Sequence, residues 1–211
     1  LHIYRHHLTI SPIITSLFMI IFGISGGVIG SISFAKLSDK LGEKNIKNRV
    51  YFIVFSIISI FICFIVMILL PLPNLTIAEG NDISIFISYP ICWVFGVLIF
   101  IVRSVLGLWN INQPPILQKI NLPEAQGRII SANQFLEMIG QGMGPIIGGM
   151  LLEILNQDYQ ITFIIVLFIG INGAFLWLLT TKWIEKDVER ISTILKKRAI
   201  ELTEKNEFPQ K

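Results

Sequence analysis

An all-α integral membrane protein is the fold class this sequence predicts, and two observations carry it. Hydrophobic residues make up 53% of the 211 and charged residues only 15%, and the mean hydropathy is +0.71, outside the range of soluble domains. The apolar residues are also gathered into long runs. A bilayer core takes roughly 20 apolar residues to cross as a helix, and five stretches meet that, at about 8–35, 50–70, 83–108, 129–155 and 160–181. The first is too long for a cleavable leader and lacks a basic start and a small-residue cleavage site. Leu1 in place of Met marks the chain as a candidate fragment.

If the five spans alternate in direction, the basic residues sort to one side. Lys36, Lys40, Lys44, Lys47, Arg49, Lys119 and Arg128 fall there, together with all eight Lys and Arg after Thr181. Arg5 lies opposite and Arg103 within a span. The positive-inside bias then puts the N-terminus outside and the C-terminus in the cytoplasm of a multi-pass protein, with the cell (plasma) membrane as the expected location. His2, His6 and His7 would face outward as a solvated loop end, and no metal ligand set or cofactor motif is expected. Cys63 and Cys92 sit in separate spans as small apolar residues. Asn74-Leu75-Thr76 in the outer loop is a weak glycosylation sequon.

After the fifth span Ile184, Val188, Ile191, Leu195, Ala199 and Leu202 recur at spacings of three and four, with Lys and Arg between them. That pattern predicts a basic amphipathic helix over 183–203 lying on the cytoplasmic lipid surface, followed by a disordered polar tail, 204–211. The only other compact charged segment is 37–44, between the first two spans, and it reads as a tight hairpin turn carrying Asp39, Lys40, Gly42 and Lys44.

Some polar residues fall where apolar ones are expected. Arg103, late in the third stretch, and Glu137, early in the fourth, are costly inside a membrane, and such groups usually face a bundle interior or an aqueous path. The two are close enough in chain order to form an ion pair. Gln134, Glu137 and Gln141 share a helix face, and Asn133 lies beside it, so these four are the candidate substrate path. Gly144 and Gly148 continue the stripe, Gly140 and Gly149 flank it, and Pro145 should bend the helix. Gly23, Gly26, Gly27 and Gly30 in the first span, and Gly140, Gly144 and Gly148 in the fourth, read as two packing faces.

Three of these segments carry a family resemblance. Residues 35–44, Ala-Lys-Leu-Ser-Asp-Lys-Leu-Gly-Glu-Lys, resemble the cytoplasmic loop signature of the major facilitator superfamily, departing from it at Ala35 and Glu43. Arg103-Ser-Val-Leu-Gly107 looks like that family's Arg-x-x-x-Gly, and residues 140–149, with Gly144-Pro145 and Gly148-Gly149, are similar to its Gly-Pro-x-x-Gly-Gly helix. The resemblance implies five transmembrane helices of a six-helix half-bundle, completed by a missing half. The terminal surface helix favours the C-terminal half, whereas the Gly-Pro helix resembles a form often found in the N-terminal one. Spinster-like carriers and drug or organic-solute carriers are the nearest variants.

What the resemblance implies is a secondary active transporter of a small organic solute, working by alternating access as a symporter, antiporter or uniporter, with protons as a candidate coupling ion at Glu137. Asp39 would latch one state by accepting hydrogen bonds at the start of the helix near Arg128. Its partners would be the solute, protons, membrane lipids and the second half; nucleic acid is not expected. No nucleophile set, metal spacing or nucleotide loop suggests an enzyme. A non-transporting receptor or assembly subunit on the same fold is the alternative.

Overall fold

The computed structural model describes residues 11–207 other than Leu72 and Asn74; the three His, Arg5, the sequon asparagine and residues 208–211 lie outside the described residues. Among those described, every regular element is helical. The first span is a stack of α1 (Pro12–Phe18), a π-helical turn (Met19–Ile24) and α2 (Ser25–Lys44). It is followed by α3 (Ile46–Leu69), short α4 (Ile77–Gly80) and α5 (Ile83–Ser88), then α6 (Pro90–Lys119), α7 (Pro123–Ile154), α8 (Tyr159–Thr180) and α9 (Ile184–Glu207). Five helices are long and apolar enough to cross a membrane.

The predicted hairpin turn over 37–44 is instead the last two turns of α2. Lys, Leu and Glu are good helix formers, so charge alone does not end a helix. Asn45 does. Its backbone is extended (φ −152, ψ 125), and its side chain accepts from the Lys47 N–H at 2.7 Å, capping α3. Asn48 Nδ2 donates to the Leu41 carbonyl at 2.7 Å, satisfying an acceptor at the end of α2. One residue therefore ends one helix and starts the next.

The third span is shifted in the same way. Residues 83–88 form the separate α5, because Tyr89 is extended (φ −84, ψ 113) ahead of Pro90, which takes the first turn of α6. At its other end α6 runs on through Pro114 and Pro115 to Lys119, and α7 starts at Pro123. The stretch left between the third and fourth predicted spans, 109–128, shrinks to the three residues between them. As a result Arg103 and Glu137 both lie near the middle of their helices rather than close to an end.

α6 is the central element, packed against α2 on one side and α3 on another, with α8 behind α3. The α2–α6 seam is close. A Cβ on Gly26 would stand 2.5 Å from the Phe100 carbonyl oxygen, and one on Gly30 would collide with the Ser104 backbone. Ser104 Oγ donates to the Gly26 carbonyl across this seam at 2.9 Å. From the α6 side, a Cβ on Gly107 would meet Ser31 Oγ at 2.8 Å. Gly26 and Gly30 are thus a packing face of the kind expected of small-xxx-small spacing, whereas Gly23 makes only ordinary contact and a Cβ on Gly27 would meet nothing within 4 Å.

A second cluster joins Ile46, Val50, Ile53 and Val54 of α3 to Ile116, Ala174 and Ile184. Trp109 and Trp177 meet edge-on beside it, with ring centres 5.6 Å apart. Ile184 is only 3% exposed, so α9 begins docked on the bundle. Two ion pairs extend the docking, Glu185 to Lys47 at 2.6 Å and Arg198 to Glu124 at 2.6 Å. The helix also continues to Glu207, past the expected end at 203.

Candidate functional site

Where α2, α3 and α6 converge near Asn45, four polar side chains are gathered. Arg49, in the first turn of α3, is 5% exposed. Its Nη2 donates to Asp39 Oδ1 at 2.9 Å and its Nη1 to Asn112 Oδ1 at 3.5 Å. Ser38 also donates to Asn112 Oδ1, and Asn112 Nδ2 donates to the Leu108 carbonyl at 2.7 Å. Arg49 Nε has no hydrogen-bond partner among the described residues.

In this cluster the Asp39 carboxylate holds the arginine of the adjoining helix. Gly42 explains how the guanidinium reaches it: a Cβ there would stand 2.5 Å from Arg49 Nε and 2.8 Å from its Cγ. The glycine of the charged signature thus makes room for a buried cation. Lys40 and Lys44 are exposed on the same turns, and Lys44 lies in the last turn of α2, where a cation complements the helix dipole.

Arg103 and Glu137 do not meet. The ion pairs among the described residues are Lys47–Glu185, Arg49–Asp39 and Arg198–Glu124. Arg103 instead faces the π-helical turn of the first span, where a Cβ on Gly23 would come within 3.8 Å of its Cγ and Nε. It lines two cavities there, of about 400 and 460 Å³, which also share Met19 and Leu106.

Glu137 belongs to a short polar chain of its own. Its Oε1 accepts from Asn133 Nδ2 at 2.9 Å, and Asn133 Oδ1 accepts from Gln113 Nε2 of α6 at 3.1 Å. Gln113 is buried and Asn133 half-buried, so the chain runs from the bundle interior out along α7. Gln134 and Gln141 do not join it; both are exposed. Two of the four substrate-path candidates are therefore brought together and two are not.

The rest of α7 is bare. It buries none of its residues. A Cβ on Gly140, Gly144, Gly148 or Gly149 would meet nothing within 4 Å, so this stripe has no neighbour among the described residues. Helix geometry continues unbroken through Gly144 and Pro145.

Arg49, Asn112, Ser38 and Gln113 were not singled out as site residues in the sequence. The signal for Asn112 and Gln113 was an amide pair just beyond an apolar run, which reads as loop unless the helix is known to continue. No group of three or more potential metal-ligating side chains occurs among the described residues. Family models, curated proteins and solved structures yield no match to this chain.

Proposed function

We propose that this chain is a membrane-embedded half of a secondary active transporter that moves a small organic solute by alternating access. The observation that carries the reading is the placement of Arg103 and Glu137. Each is ionisable, each lies near the middle of a helix long enough to span a bilayer, and neither is in an ion pair among the described residues. Burying charge at such depth is costly and is ordinarily kept for a solute or proton path. The major-facilitator resemblance of residues 35–44, 103–107 and 140–149 supports the same conclusion.

In this reading α7 offers its uncovered glycine face to a second half-bundle, and the two halves rock about a path reached by Arg103 and Glu137. The Ser38–Asp39–Arg49–Asn112 cluster stiffens the cytoplasmic ends of α2, α3 and α6 so that they tilt together. Glu137, whose carboxylate accepts from Asn133, is the proton-coupling group in this reading.

The test is flux through the full-length protein in proteoliposomes, across a panel of organic solutes, with and without a pH gradient. Gradient-driven accumulation of at least one solute is expected. Glu137→Gln should abolish the dependence on the gradient while sparing exchange of solute for solute. Absence of flux for every solute, in protein that is folded by its melting profile, would overturn the reading.

A further inference from the structure

The two cavities at Arg103 differ in character. Phe64, Met67, Phe95 and Phe163 wall the one of about 400 Å³, whereas Ser31 and Asn110 contribute polar atoms to the one of about 460 Å³. Arg103 belongs to both. Among the described residues no Asp or Glu lines either cavity, and Arg103 is itself exposed, so its guanidinium is open to a ligand and has no counter-charge in the lining. A volume of this size lies in the range that ordinary small-molecule sites occupy.

The backbone opposite Arg103 is also unusual. Met19–Ile24 is a π-helical turn, a form that occurs mostly as single insertions and is common at functional sites. Within it Gly23 presents no side chain toward the guanidinium. The wall nearest the charge is thereby kept open.

We propose that Arg103 binds the acidic headgroup of an amphiphilic organic anion whose apolar body fills the aromatic cavity. A carboxylate or phosphate matches the fork of guanidinium donors, and Ser31 and Asn110 on the polar side supply further donors to its oxygens. The four Phe and Met side chains take a hydrocarbon chain or an aromatic ring. The inference rests on the transport reading only in treating this ligand as the solute carried; binding is a separate property and is measured separately.

Equilibrium binding to the full-length protein in phosphatidylcholine nanodiscs tests it, with oleate, 2-naphthoate and oleyl alcohol as probes. Oleate should bind about tenfold or more tighter than oleyl alcohol, the loss expected when a charged hydrogen-bond acceptor is removed. Arg103→Gln should erase that preference and Arg103→Lys should keep part of it. Ile60→Trp, which fills the aromatic cavity without touching the charge, should weaken oleate several-fold. Binding of oleate alone would place the ligand's source in the bilayer, and binding of naphthoate as well would admit a water-soluble solute.

Equal affinity for acid and alcohol, or an Arg103→Gln protein that keeps the preference, would overturn the proposal. Should Arg103→Gln fail to fold, the acid-to-alcohol comparison on the unaltered protein and the Ile60→Trp variant still decide it. Anion binding without flux would remove the transport reading and leave the site. Flux of some solute with no anion binding would do the reverse.

Discussion

The α2–α6 seam and α7 are both rich in glycine, and they use it in opposite ways. In the seam, Gly26 and Gly30 lie so close to the Phe100 and Ser104 backbones that a methyl group has no room. Along α7, Gly140, Gly144 and Gly148 face open space. The same spacing of small residues is a completed contact in one place and an unoccupied surface in the other. Small-xxx-small spacing therefore says that a helix can approach a neighbour closely, and only the rest of the fold says whether the neighbour is in the same chain.

Substitution separates the two uses most sharply. Gly30→Leu should cost about 3 kcal/mol or more, since the clash is with backbone and cannot be relieved by a rotamer change, and thermal melting in detergent would register it as a large drop. Gly144→Leu should shift the same melting point by less than about 0.5 kcal/mol equivalent. Comparable losses at both positions would mean that α7 is covered in solution by something that the fold of this chain does not provide.

A second, smaller contrast lies within the polar cluster. Arg49→Met removes a buried cation together with its bonds to Asp39 and Asn112, and should destabilise by roughly 2 kcal/mol. Asp39→Asn should cost under about 1 kcal/mol, because the Asp39 side chain is 65% exposed and its charge is screened. Equal losses, measured by the same melts, would show that the carboxylate rather than the buried guanidinium organises the corner.

The smallest effect concerns α9. Glu185 is held below its ordinary carboxylate pKa, first by its hydrogen bond with Lys47 and then by that with Asn45. A group whose folded pKa is lowered adds its stabilisation above the unfolded value and loses it as pH falls through the folded one. The hydrogen-exchange protection at the start of α9, taken relative to the intrinsic rate at each pH, should therefore fall on acidification below the ordinary glutamate range, and Glu185→Gln should flatten that response. An unchanged pH response in Glu185→Gln would assign the docking to Ile184 and Val188 alone.

Much of this architecture was legible because membrane-length apolar runs admit few alternatives. Length and hydropathy suffice to place five helices, yet their ends moved, since Lys40, Glu43 and Lys44 extend α2 as readily as they would flank it. The gap between the third and fourth predicted spans closes for the same reason: Pro114 and Pro115 look like punctuation but lie inside α6. The expected Arg103–Glu137 pair failed because chain adjacency fixes which helices are neighbours and leaves open which faces they turn to each other. Gly26 and Gly30 could be read correctly, since their stripe meets a helix of the same chain. Arg49 could not, because an arginine just before an apolar run looks like any basic flank until Gly42 is seen to open a space for it.

The corner at Asn45 has a mechanical consequence. Its neighbours are already helical on both sides, so the joint holds a single extended residue, spanning at most about 3.6 Å. Sliding α2 along its axis by one turn, about 5.4 Å, would exceed that slack and would have to drag α3 with it. Asn45 Nδ2 also donates to Glu185 Oε1 at 3.0 Å, tying the joint to the first turn of α9. The three helices share one pivot, and a displacement entering along α2 leaves as a tilt of α3 and α9 rather than dying out in a loose connection.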